Sequence, residues 1–198
     1  MHQLSSRVFG LLVFLVGVLL MLCFPSFAHA HDGAGVAHHE FGVGFLHPLT
    51  GLDHLVFLVA VGFWIRQSAV RASMIVPLIL VSSLVGGTAM AIYGVVFSNV
   101  ETNVTSSLAI MAVLLVFAVR LNHLVTLFLM TFFGLVHGMA HGLELPVGVS
   151  SVLFIAGLGF SSALVLGMGM AIATRLQQYQ TLTRGTSIFL ALSACLVF

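Results

Sequence analysis

The chain contains no lysine, so its only cations are arginines, six of them against five acidic residues. Charge makes up 6% of the 198 residues, where an ordinary soluble domain carries about 25%. That excludes a Schiff-base pigment of the usual kind, a water-solvated fold and a basic surface for nucleic acid. Cysteine is nearly missing as well, with Cys23 and Cys195 alone. No Gly-x-x-x-x-Gly-Lys phosphate loop is present, and no His-Glu-x-x-His pair with its built-in general base, so neither ATP hydrolysis nor zinc proteolysis has its usual parts. What fills the chain instead is apolar: 60% hydrophobic residues and a mean hydropathy of +1.21. An all-α, polytopic transmembrane helix bundle is expected.

The first 30 residues read as a signal peptide. Arg7 supplies the positive end, Phe9 to Phe24 the apolar stretch, and Ala28-His29-Ala30 a small-residue cleavage site. Residues 31–198 then form one transmembrane domain, preceded by a histidine-rich leader at 31–41. Cleavage would leave Cys195 as the only cysteine, so no internal disulfide can form and a metal must be held by nitrogen and oxygen.

Five apolar runs, at about 42–65, 72–97, 105–119, 122–142 and 147–174, come near the ~20 residues a bilayer requires. A sixth, 186–198, is shorter, giving about six spans. Beyond Arg7, the arginines fall in alternate connections: Arg66 and Arg71, then Arg120, then Arg175 and Arg184. The positive-inside rule puts those connections in the cytoplasm of a bacterium and the mature N-terminus in the periplasm, with the chain in the inner membrane.

Ionisable residues inside such runs are costly in hydrocarbon and call for an ion, a proton path or mutual pairing. Two motifs hold them. His47-Pro-Leu-Thr-Gly-Leu-Asp53-His54 lies in the first run, and His137-Gly-Met-Ala-His141-Gly-Leu-Glu144 ends the fourth, both on the outer side. On a helix, positions i, i+4 and i+7 share a face, so His137, His141 and Glu144 form one stripe. Gly134, Gly138 and Gly142 run beside it as a small-residue pattern that admits a close neighbour, expected to be the first span with its ligands. His47 and His54 are about 10 Å apart along an unbroken helix. Pro48 and Gly51 favour a break that would fold His47 back. Asp53 either binds metal or orients a histidine. A single histidine in a membrane helix is more often a hydrogen-bonding group between helices; six ionisable groups at one depth favour a site. In the leader, His31, His38 and His39, with Asp32 and Glu40, are either a capture site at the entrance or a solvated segment whose ordering entropy opposes binding. Ser82, Ser83, Thr88, Asn122 and His123 are candidate relays further along the path.

The two motifs resemble those of the HupE/UreJ family of nickel and cobalt permeases, and the likeness extends over the whole chain, with Val136 where that family usually has Phe. The resemblance implies a secondary transporter taking up Ni²⁺ or Co²⁺, with His47, Asp53, His54, His137, His141 and Glu144 on the path. No catalysis and no permanently bound cofactor are expected. The partners expected are the ion and the lipid bilayer, with homo-oligomerisation left open. Imidazole with carboxylate suits Ni²⁺, Co²⁺ or Zn²⁺, while the lack of thiolates disfavours Cu⁺. The main alternative is a membrane metal sensor or accessory subunit that binds without transporting. A bis-histidine haem protein would not need Asp53 and Glu144 beside its ligands.

Overall fold

The structure is a computed structural model that describes residues 40–68 and 74–196, with the side chain of residue 195 excepted. The expected signal peptide and the leader histidines His31, His38 and His39 lie outside the described residues.

Seven helices make up the described chain: α1 (Glu40–Thr50), α2 (Leu52–Gln67), α3 (Ile75–Ile92), α4 (Val100–Val116), α5 (His123–Leu143), α6 (Ser151–Leu176) and α7 (Gln180–Leu196). The six apolar runs correspond to these in order, the first being divided between α1 and α2. By length and composition α3, α5 and α6 can each cross a membrane, and α1 with α2 makes a fourth span when the bent pair is counted as one. Thus three or four of the six expected spans reach full length. The 17-residue helices α4 and α7 are each about 26 Å long at 1.5 Å per residue, short of a ~30 Å hydrocarbon layer. α7 starts earlier than expected, because Gln180-Thr-Leu-Thr-Arg184 holds no residue that stops a helix. Arg184 therefore sits in α7, and Arg66 and Arg175 sit in the last turns of α2 and α6, rather than in open loops.

The break in the first run falls at Gly51. Its ψ of 107° takes the backbone out of the helix, and α1 and α2 meet at 75°. His47 and Pro48 remain helical, so of the two residues that favour a break it is Gly51 that supplies it. A proline near a helix end forfeits one hydrogen bond, whereas the glycine carries the change of direction.

α6 supports both arms of the bend. At 26 residues it is about 39 Å long, and four glycines bring it into backbone contact with them. Gly44 lies against Phe154 and Gly157 against Phe41; further along, Gly62 lies against Leu166 and Gly169 against Val59. The α5 stripe works in the same way but on another neighbour: Gly134, Gly138 and Gly142 lie against Leu80, Leu84 and Thr88 of α3. The expected partner, the first span, is not the one these glycines receive. Each glycine is one residue from a histidine-stripe position or its equivalent, about 100° around a 3.6-residue turn, so glycines and histidines face different helices. Trp64, Phe57, Phe63, Phe133 and Phe154 are fully buried, with Phe57 against Phe133 and the Trp64 ring N–H donating to the Val119 carbonyl.

Candidate metal centre

α5 places His137 and His141 one turn apart, and both rings are buried. Glu144 ends the helix and is exposed, with its N–H bonded to the Ala140 carbonyl. From the bent first segment, α1 brings His47 and α2 brings His54. The His141 ring lies 4.8 Å from that of His47 and 4.0 Å from that of His54, centre to centre. His54 in turn lies 5.1 Å from His137. A straight helix would hold His47 and His54 too far apart to share a neighbour; the 75° bend brings both to His141.

The cluster runs from exposed to buried. At its outer edge His47 Nε2 donates to Glu144 Oε2 at 2.9 Å. That hydrogen bond holds the Glu144 carboxyl below the usual glutamate range, against the opposing effect of partial burial, so it presents an anion. His47, His141 and Glu144 each offer a ligand atom, and these atoms lie within 4.8 Å of one another. Deeper in, His54 Nδ1 donates to Asp53 Oδ1 at 2.9 Å, which leaves Nε2 as the nitrogen with a free lone pair. His54 Nε2, His137 Nδ1 and both nitrogens of His141 are buried without a hydrogen-bond partner. Buried polar groups are almost always partnered, and several orphaned imidazole nitrogens in one place are what a cation would satisfy.

All six motif residues thus meet, with Asp53 in contact with His54. Two further side chains shape the centre. Phe57 stacks on His137 with ring centres 3.8 Å apart and planes at 16°, and Ser107 of α4 lies 2.7 Å from His137 Nε2. The polar run Thr102 to Ser107 in an otherwise apolar helix was the available signal for the serine. The suggested relays mostly have other duties. Ser82 and Thr88 bond to the carbonyls of Ile79 and Leu84 in their own helix, and Asn122 caps α5 by accepting from the Val125 N–H. His123 is exposed at the opposite end of α5.

Gly51 is tied to the centre as well as to the bend. A Cβ there would sit 3.1 Å from Asp53 Oδ1 and 3.2 Å from His54 Nδ1, and alanine also favours a continuous helix by about 1 kcal/mol. Gly51→Ala is expected to weaken metal binding several-fold while the protein still folds, measured by titrating purified protein with Ni²⁺. Wild-type affinity would mean that the bend and the pair tolerate a methyl group.

The sequence of the chain is matched by known proteins. The family described as HupE / UreJ protein matches residues 18–197. The chain belongs to the HupE/UreJ family. Protein HupE of Rhizobium leguminosarum bv. viciae is 36% identical to it over 157 residues, 77% of this chain and 80% of that protein. No solved structure matches the chain significantly. HupE/UreJ proteins are membrane metal-transport proteins and not enzymes, so the histidines need no catalytic assignment. Membership also makes this a multi-pass membrane protein, in agreement with its apolar helices.

Proposed function

We propose that the protein is a permease for uptake of Ni²⁺ or Co²⁺ across the bacterial inner membrane. The observation that carries this reading is the convergence of His47, His141 and Glu144, from segments 97 residues apart, on one ligand-sized space. Nitrogen and oxygen donors of this kind suit divalent first-row metals, and the orphaned nitrogens of His54 and His137 continue the path inward. Glu144 and His47, at the accessible edge, strip part of the ion's hydration shell. His141 then shares the ion with the deeper imidazoles, oriented in the case of His54 by Asp53.

The orientation places the centre on the periplasmic side, with residues 1–30 removed as a signal peptide. It is supported by the arginines: Arg66 Nε donates to Thr174 Oγ1, beside Arg175, so α2 and α6 end together at a basic face. The histidines are at the other end of α5, preceded by Arg120. Inward movement of a divalent cation down the membrane potential releases about 5 kcal/mol per 100 mV, which drives uptake without ATP hydrolysis.

Cells producing the protein should accumulate radioactive nickel, cobalt or both faster than cells with the empty vector, at sub-micromolar metal. Metal binding by the purified protein with no accumulation would return the reading to a sensor or accessory subunit.

A further inference from the structure

α4 packs against both α2 and α5, and so against both halves of the histidine cluster. Its Ser107 is buried, with Oγ 2.6 Å from the Val104 carbonyl oxygen and 2.7 Å from His137 Nε2. A hydroxyl has one proton. A carbonyl can only accept, so the contact with Val104 requires that proton. The serine oxygen is then left as the acceptor, and His137 Nε2 must be the protonated nitrogen. The reverse arrangement fails twice. It would set two oxygen lone pairs 2.6 Å apart with no proton between them, and it would put a proton on Nδ1, which is buried with no acceptor. A 180° flip of the ring would keep its stack on Phe57 but turn Cε1 toward the serine and forfeit the bond.

We propose that Ser107, outside both histidine motifs, is a positioning residue that holds neutral His137 in its Nε2–H tautomer, leaving Nδ1 as the lone pair offered to the metal. A neutral imidazole has one donor and one acceptor nitrogen, and the partner of one decides the role of the other. Residues that orient a metal-binding histidine typically change affinity about 10–100-fold when removed. The consequence for uptake rests on the permease reading; the tautomer does not.

The test has two arms. In metal-free, ¹⁵N-histidine-labelled protein, with His137 assigned by its loss in His137→Gln, NMR should show a protonated Nε2 and a bare Nδ1. Ser107→Ala should lose that preference. In cells, Ser107→Ala should raise the half-saturation concentration for Ni²⁺ uptake about tenfold or more, with the maximal rate little changed. Ser107→Thr, which keeps the hydroxyl, should restore both readouts, as simple loss of packing would not. The proposal is overturned if Ser107→Ala retains the Nε2–H form, if half-saturation stays within about twofold of wild type, or if threonine does no better than alanine. Should His137→Ala itself transport normally, the permease site is at fault, and the NMR arm still decides the tautomer.

Discussion

His141→Ala is expected to abolish metal uptake while leaving the protein in the membrane at near-normal levels. His141 is the common neighbour of the two motif histidines of the first segment, 4.8 Å from His47 and 4.0 Å from His54. Both of its nitrogens are buried and unpartnered. Without a metal the ring therefore contributes packing but no hydrogen bond, so its removal costs the fold a cavity and no broken polar pair. For the ion the loss is of a different order. The outer group of His47, His141 and Glu144 drops to two ligands, and the deeper imidazoles lose their connection to it. Each 1.4 kcal/mol of lost coordination is a tenfold loss of affinity, and one metal–imidazole bond is worth about two to three times that on the scale of structural zinc sites, where four ligands together supply about 10–16 kcal/mol. His123→Ala is the control: that residue is exposed and lies 14 residues before His137 on the same helix, about 21 Å away, so its uptake should be close to wild type. Normal uptake by His141→Ala at limiting metal would remove the centre from the transport path.

The reach of sequence reasoning here follows the range of the interactions involved. His137, His141 and Glu144 were legible as one stripe because spacing along a single helix determines which side chains share a face. The proximity of His47 and His54 was legible in outcome and not in detail. Pro48 and Gly51 both signal a break, and only the backbone shows that Gly51 supplies it. The partner of the α5 glycines was not legible. A small-residue stripe announces that some helix comes close, but which one depends on the rotation of α5 about its axis, and a one-residue offset sends glycines to α3 and histidines to α1 and α2. The run of polar residues marked Ser107, but its partner was out of reach for the same reason. Its bond to His137 joins residues 30 apart on different helices, and nothing in the spacing of either helix encodes that meeting. The length of α7 was misjudged because hydropathy marks where a helix turns apolar rather than where it starts.

His54→Ala should eliminate uptake outright, whereas Asp53→Asn should leave a working but weaker transporter. The two residues are adjacent, yet they face the ion differently. His54 is buried and keeps Nε2 free of any partner, so alanine deletes a ligand from the deep part of the path. Asp53 contacts His54 through Oδ1 and Nδ1 at 2.9 Å, which holds the imidazole in the tautomer that exposes Nε2 and makes that nitrogen more basic. An asparagine carbonyl can accept the same hydrogen bond but carries no charge, so the orientation survives in part and the added basicity is lost. Half-saturation for Ni²⁺ should rise about 10–100-fold in Asp53→Asn, with the maximal rate largely kept, while His54→Ala shows no saturable uptake at any concentration tested. Initial-rate measurements on both variants, normalised to the amount of protein in the membrane, separate three cases. The graded result supports an orienting carboxylate. Complete loss in Asp53→Asn would make Asp53 a ligand in its own right, taken up by the ion when His54 releases it. Wild-type kinetics in Asp53→Asn would reduce the pair to a structural contact, and His54 would then depend on its packing between His137 and His141 alone for its orientation.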